Sequence, residues 1–333
     1  MSSVCLNIPM KRESKSFTDS LHAILTASGR FDGSKSMLSG LSGMAFKLSV
    51  HEKLLPMSVT AYGQWGVEHK PAVDNLGVLT ESDGGRTRHP TFRHYRQEAV
   101  RWIKGSLDRG VGVIYWIPEF GVIHGYDDED RIFYIQDGRT TEDQVVLYDN
   151  LGLNVTDFWY CRLFGDKVDV PLEAMVLESM RLALQDWDTP HKTLPDTKIA
   201  SGKLAYSFLW RGLEQGEFDE GGAAYILHSY SVSRREIADY LREVRGLWPE
   251  LDEAYACYAG LIEAISVIPD RLKEQERGGG KRVNRTDIPL LADRLRKAER
   301  LEDEAMELFR AVSRNYPDLK RSTIPRWGRH SPR

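Results

Sequence analysis

The chain has 333 residues, 41% of them hydrophobic and 28% charged, which is enough apolar material for a sizeable core and a length that suggests about two domains. Its 45 Lys and Arg against 49 Asp and Glu leave a formal charge of −4, too near neutral for nucleic acid or an acidic membrane surface to be the main partner. Three scattered cysteines, Cys5, Cys161 and Cys257, form no CxxC pair; they indicate a reducing setting and no disulfide framework, and the sequence calls for no metal and no cofactor. Along the chain, Val4–Ile8 reads as a first strand, and a helix is predicted from near Thr18 with Leu21, Ile24 and Leu25 on one face. A second helix starts near Thr91 and carries Tyr95, Val100, Trp102 and Ile103. Five β-rich runs follow: Val111–Ile117, Phe120–His124, Arg131–Gln136, Gln144–Tyr148 and Phe158–Phe164. The acidic, glycine-led segment Gly125–Asp130 reads as a hairpin turn between two of them. Residues 1–169 are therefore expected to form an α+β domain with a largely antiparallel sheet.

After Pro171 the hydrophobic period becomes 3.6. Leu172/Met175/Val176/Met180/Leu184, Leu204/Phe208/Leu209/Leu213, Ile237/Tyr240/Leu241/Val244 and Tyr255/Tyr258/Leu261/Ile262/Ile265 each trace one helix face. A last helix, from Leu291 to Val312, has Pro289 in its first turn and Pro317 just past its end. Residues 170–333 thus read as an all-α bundle, with a mobile, glycine-containing loop at 274–285 and a frayed basic tail from Lys320. The opening residues lack an apolar stretch of signal-peptide length, and no window supplies about 20 consecutive apolar residues. A cytoplasmic protein without a membrane span is the expectation.

Chemistry could reside in two segments. With a turn centred near Asp128, an antiparallel register sets Glu119 roughly opposite Asp137, so two carboxylates would share one end of the hairpin as an acid–base pair or a seat for an amine. Solvated strand-end residues would give the same pattern. His124 has side-chain parity opposite to Glu119 and reads as a structural histidine. The second segment is Ser14–Leu25, a helix start rich in hydroxyls. A nucleophile there would sit in the positive end of the helix dipole, although Ser16 with Asp19 also fits an ordinary N-cap. Asp83–Pro90, with its glycines, arginines and His89, reads as a plain loop, lacking the spacing of a phosphate-binding turn. The small residues of Met37–Phe46 permit close packing. Tyr206, Trp210, Tyr225, Tyr230 and Tyr240 suit an amphipathic core, and Cys5 suits inert packing in the first strand.

Phe17–Leu25, Leu38–Phe46, Glu119–Asp128 with Tyr134–Asp137, and the helical segments Leu204–Trp210 and Ser233–Leu241 together resemble the family of butirosin biosynthesis protein H. The resemblance implies a papain-like, cysteine-peptidase-type N-terminal domain followed by a helical domain. It also implies acyl transfer, in which a cysteine takes an acyl group from a carrier-protein thioester and passes it to a small amine in antibiotic-type biosynthesis. Such chemistry needs a thiolate, a base and an orienting carboxylate. Here the nucleophile position falls on Ser16, or on Phe17 with a register one residue different, and the histidine position of related double-glycine leader peptidases falls on Glu119. Asp137 matches. Three functions follow from this set: an acyl or aminoacyl transferase using Ser16, Glu119 and Asp137; an inactive member of the fold that binds an acyl or peptidyl carrier protein or a small amine; and a hydrolase of the cysteine-peptidase type. An open pocket above Ser16 and Glu119 would favour the first, and Phe17 filling that space the second.

Overall fold

A computed structural model of the protein describes residues 2–13, 15–56, 65–192, 196–274 and 281–317. In chain order they form β1 (Ser3–Cys5), α1 (Ser16–Ala27), α2 (Lys35–Leu41), β2 (Ser49–His51), α3 (Trp65–Asp74), β3 (Val78–Arg86) and α4 (Phe92–Asp108). Strands β4 (Val113–Ile117), β5 (Glu119–Asp127), β6 (Ile132–Gln136), β7 (Gln144–Leu147) and β8 (Phe158–Lys167) follow. The rest comprises α5 (Leu172–Trp187), β9 (Ile199–Ser201), α6 (Gly202–Gln215), α7 (Glu220–Val244), α8 (Pro249–Ile265), β10 (Leu272–Glu274), β11 (Lys281–Val283) and α9 (Ile288–Asn315). None of these helices is long and apolar enough to cross a membrane.

Two units, each discontinuous in sequence, divide the chain: Met1–Lys35 with Gly77–Asp169, and Ser36–Leu76 with Val170–Arg333. The break near residue 170 thus has two counterparts, at Lys35/Ser36 and Leu76/Gly77, and the continuous domain expected over 1–169 loses its segment 36–76 to the helical unit. The reason is long-range pairing. Strand β2 bonds to β9, with Ser49 opposite Ser201 and His51 opposite Ile199.

The first unit is built on a seven-stranded antiparallel sheet in the order β3-β8-β4-β5-β6-β7, with β1 joining it on β5. One edge of β5 is shared: β4 pairs with Glu119–Ile123 and β1 with Gly125–Asp127. Alternation then gives the sheet two apolar faces. Val113, Tyr115, Ile123, Phe133 and Ile135 pack with Ala99, Ile103 and Leu107 of α4 in one buried cluster. On the other face, Phe17 of α1 meets Phe120 edge to face at 5.6 Å, and α1 lies along β4 and β5.

Two local expectations change. Asp83–Arg86 is the end of β3, not a loop, and pairs with Phe158–Cys161 of β8. The hairpin turn is also later and tighter than Gly125–Asp130: Asp127 pairs with Ile132, and the Asp127 carboxylate accepts from the N–H of Glu129 at 2.7 Å. The turn centre therefore lies between Glu129 and Asp130, Val122 stands opposite Gln136, and Glu119 does not face Asp137; its partner is Ile117 on β4.

In the second unit the 28-residue helix α9 packs on α5, α6 and α8, and buries Leu291, Leu295, Ala298, Ala305, Phe309 and Val312. These are the positions a 3.6-residue period selects. The helix expected around Ile237–Val244 begins earlier, at Glu220, where Asp219 caps it by accepting from the N–H of Gly222 at 2.6 Å. Tyr206, Tyr230 and Tyr240 are core residues. The small-residue stripe has a packing role, because the ring of Tyr240 occupies the space where a Cβ on Gly40 would lie. Part of the loop expected at 274–285 is a hairpin, with β10 against β11; residues 275–280, like the basic tail from Lys320, lie outside the described residues.

One charged cluster in this unit makes stability depend on pH. Lys192 pairs with Asp186 and, at 3.5 Å, with Glu68, in company with Lys47. Burial, reinforced by the neighbouring Lys47, lowers the Lys192 ammonium to about 7. An unfolded lysine titrates near 10.4, so between about pH 7 and pH 10 the unfolded chain holds the extra proton. Stability contributed by this group therefore rises with pH across that window, by at most about 1.4 kcal/mol per pH unit. Urea melts of Lys192→Met should show that part of the profile flattened.

Candidate functional site

Helix α1 begins at Ser16, its first residue, and the N-cap is Lys15 with no side-chain capping bond. The N-cap reading of Ser16 with Asp19 is therefore replaced. Asp19 instead accepts from the N–H of Glu13 at 2.9 Å and pairs with Lys35. Ser16 turns toward the sheet. Its hydroxyl donates to Glu119 Oε2, and its oxygen accepts from the N–H of Phe120 at 3.1 Å. The structure thus brings the start of α1 against the start of β5.

Ser16 is 2% exposed and Phe17 is fully buried against Phe120. The oxygen that takes the serine hydrogen bond is also the one that Arg12 faces, at 3.5 Å. Arg12 continues to the other end of the pair: it donates to the main-chain carbonyl of Asp137 at 2.7 Å and to that of Phe120 at 3.0 Å. The side chain of Asp137 is turned elsewhere. One carboxylate oxygen accepts from the N–H of Arg139 at 2.9 Å and the other from Gln144 at 3.2 Å. Of the three residues, then, Ser16 and Glu119 touch, and Asp137 is joined to them through its backbone and Arg12. Arg12 was invisible to spacing arguments, since a single arginine before a helix carries no pattern.

Chemically, Glu119 is placed to accept the Ser16 proton. The hydroxyl, however, is buried, with its proton on Glu119 and one of its two lone pairs on the Phe120 N–H. Removing it should cost stability. Ser16→Ala removes the hydrogen bonds to the Phe120 N–H and to Glu119 in a largely buried place, so urea denaturation should show a loss of about 1–2 kcal/mol.

The other candidates separate clearly. His89 bonds locally to Thr91 at 2.8 Å on the exposed start of α4. Cys161 is fully buried, and burial pushes its thiol up to about 12; the thiol of half-buried Cys257 is also raised by burial. Both are unsuited to nucleophilic chemistry. Cys5 departs from the inert packing expected of it: it is exposed, and its Sγ lies 3.8 Å from His124 Nδ1. A cavity of about 460 Å³ opens beside this pair, and its lining includes Cys5 and His124 but neither Ser16 nor Glu119. Among the described residues, no cluster of three or more His, Cys, Asp and Glu side chains is arranged to hold a metal ion.

Comparison of the sequence with protein-family models gives no match, and comparison with curated proteins gives none either.

Proposed function

We propose that the chain is a papain-like protein, similar to the family of butirosin biosynthesis protein H, whose nucleophile position has become a structural strut. It acts as a binding or scaffold protein for an acyl or peptidyl carrier protein, or for its small amine acceptor, in carrier-dependent biosynthesis. The papain-like reading is supported by the meeting of a helix start with a strand start at Ser16 and Glu119, on a largely antiparallel sheet followed by helices. One observation carries the functional reading: Ser16 is 2% exposed where α1 meets β5, its proton on Glu119 and one lone pair on the Phe120 N–H. A nucleophile must instead present a lone pair to an open space that also receives the substrate carbonyl.

The alternative, covalent acyl transfer through Ser16, predicts a different result in one experiment. The protein is incubated with acyl carrier protein loaded as a thioester, and intact mass is recorded alongside carrier binding by calorimetry. The expected outcome is binding that survives in Ser16→Ala, with no acyl adduct that depends on Ser16. An adduct lost in Ser16→Ala would restore the transferase reading, and absence of any binding to carrier protein or to small polyamines would remove the scaffold reading.

A further inference from the structure

Strand β7 lies at the edge of its sheet, and among the described residues it pairs only with β6. The N–H of Tyr148 donates to the carbonyl of Arg131 at 2.9 Å, and from that pair the register runs on with Leu147 opposite Ile132, Val146 opposite Phe133 and Val145 opposite Tyr134. In an antiparallel ladder every second pair exchanges hydrogen bonds, so Val146 and Gln144 bond inward to Phe133 and Ile135. The main-chain N–H and C=O groups of Val145 and Leu147 therefore point outward, away from β6. The same two residues expose their side chains, 61% and 49% respectively, while Val146 on the opposite face packs on the buried cluster. One short stretch thus offers two donors, two acceptors and two apolar side chains to an incoming strand.

The other edge of the sheet is protected, and this one is not. Strand β3 carries a register shift between Val78 and Thr80 and the glycines Gly84 and Gly85, which spoil it as a template. Gln144–Leu147 contains no proline, glycine or lysine and holds an unbroken register. Charge then selects the occupant. Residues 127–149 hold eight carboxylates against two arginines. Lys104 meets Asp128 at 2.6 Å, Arg131 lies 3.4 Å from Asp149, and His124 lies 3.0 Å from Asp143. Exposed Glu129 and Asp130, beside the Leu147 end of β7, and Glu142, at its Gln144 end, have no ion pair among the described residues. A second copy of β7 laid antiparallel about a two-fold axis would set the Glu142 end of one strand against the Asp149 end of the other, acid on acid. A strand with cations at its ends meets both ends of β7 favourably.

We propose that the free edge of β7 binds an extended segment of a partner protein, apolar at alternate positions and basic at both ends, by strand addition. The main chain of that segment completes the ladder at Val145 and Leu147. Its apolar side chains lie beside theirs on the open face, and its lysines or arginines face Glu142 at one end and Glu129 and Asp130 at the other. Ser16 and Glu119 take no part.

The probe is a fluorophore-labelled peptide, acetyl-KKVTVTVKK-amide, titrated with the full chain by fluorescence anisotropy and paired with hydrogen exchange read by mass spectrometry. In the chain alone the outward amides of Val145 and Leu147 should exchange fast, and bound peptide should protect about two amides in that segment. Val145→Pro removes one outward N–H and leaves the Gln144 and Val146 bonds to β6 in place, so binding should weaken about tenfold or more while circular dichroism shows the fold kept. Should Val145→Pro fail to fold, the same peptide with its three valines N-methylated decides, since it has lost the donors that face β7 and should bind the unaltered chain about tenfold less well or not at all. A peptide with glutamate in place of each lysine should also bind about tenfold less well or not at all. Equal binding of the N-methylated or the glutamate peptide would overturn the proposal, as would no binding of the lysine peptide at about 1 mM. Edge amides already protected before peptide is added would overturn it too, by showing that a second copy or the chain itself covers β7.

Discussion

Replacing Glu302 with alanine is expected to cost the helical unit about 3–5 kcal/mol, the usual effect of breaking a buried ion pair from one side. Glu302 on α9 is fully buried, and so, to 1%, is Arg234 on α7. The guanidinium approaches the carboxylate as a fork, Nε to Oε2 at 3.0 Å and Nη2 to Oε1 at 2.8 Å. Two phenols complete the shell: Tyr258 donates to Oε1 at 3.0 Å and Tyr206 to Oε2. Burial and the Glu302 charge hold both phenol groups protonated, far above the usual tyrosine value. Alanine leaves a void and a buried cation whose charge is uncompensated, its remaining acceptors being the Ala45 carbonyl at 3.3 Å and the Ser233 hydroxyl at 3.4 Å. The thermal midpoint should fall by about 10 °C for a unit of this size. Arg234→Met should cost a similar amount, whereas Arg234→Met with Glu302→Leu should recover most of the loss, since a matched apolar pair removes the orphaned charge. A double variant as unstable as the sum of the two singles would show that the two charges are not coupled and that each side chain stabilises the fold through its other contacts.

That ion pair also shows what local pattern conceals. The faces of α5 to α9 were legible because each helix is long enough to repeat its period, and Pro289 punctuates the start of the last. Glu302, however, falls on a helix that is charged for most of its length, and nothing beside it in sequence marks it as buried. The same limit hides segment 36–76. Strand β2 has three residues, too few for alternation, and its partner β9 lies some 150 positions on. Strand β3 is masked by Gly84 and Gly85, residues that punctuate loops elsewhere but here lie beside Tyr160 and Trp159 of β8. For the candidate site, the proximity of Ser16 to Glu119 came from resemblance, and the register of Asp137 was lost because the turn centres between Glu129 and Asp130, not at Asp128. Cys5 and His124 stand 119 positions apart. Only the pairing of a three-residue strand with β5 joins them, so parity within β5 could describe His124 relative to Glu119 but not what it meets on β1.

Gly202→Ala should destabilise the helical unit by about 3 kcal/mol or more, and the comparison with Gly29→Ala separates the causes. Gly202 opens α6 at φ +56°, where its N–H donates to the carbonyl of Leu48 at 3.0 Å. An alanine there meets two penalties. The left-handed backbone costs a non-glycine residue about 1–2 kcal/mol. The added methyl also meets main chain at the end of α5, within 2.6 Å of the Trp187 carbonyl oxygen and closer still to that of Asp186. Main chain cannot rotate out of the way as a side chain can, so the overpacking term, about 1–3 kcal/mol, adds in full. Gly29, just past α1, has φ +67° and nothing within 4 Å of the same methyl. Gly29→Ala should therefore show the conformational cost alone, about 1 kcal/mol. Equal losses at the two sites in urea denaturation would mean that α5 and α6 yield to the methyl. A Gly202→Ala loss at least twice that of Gly29→Ala is what the approach of the two helices predicts, because only at Gly202 does the methyl meet main chain.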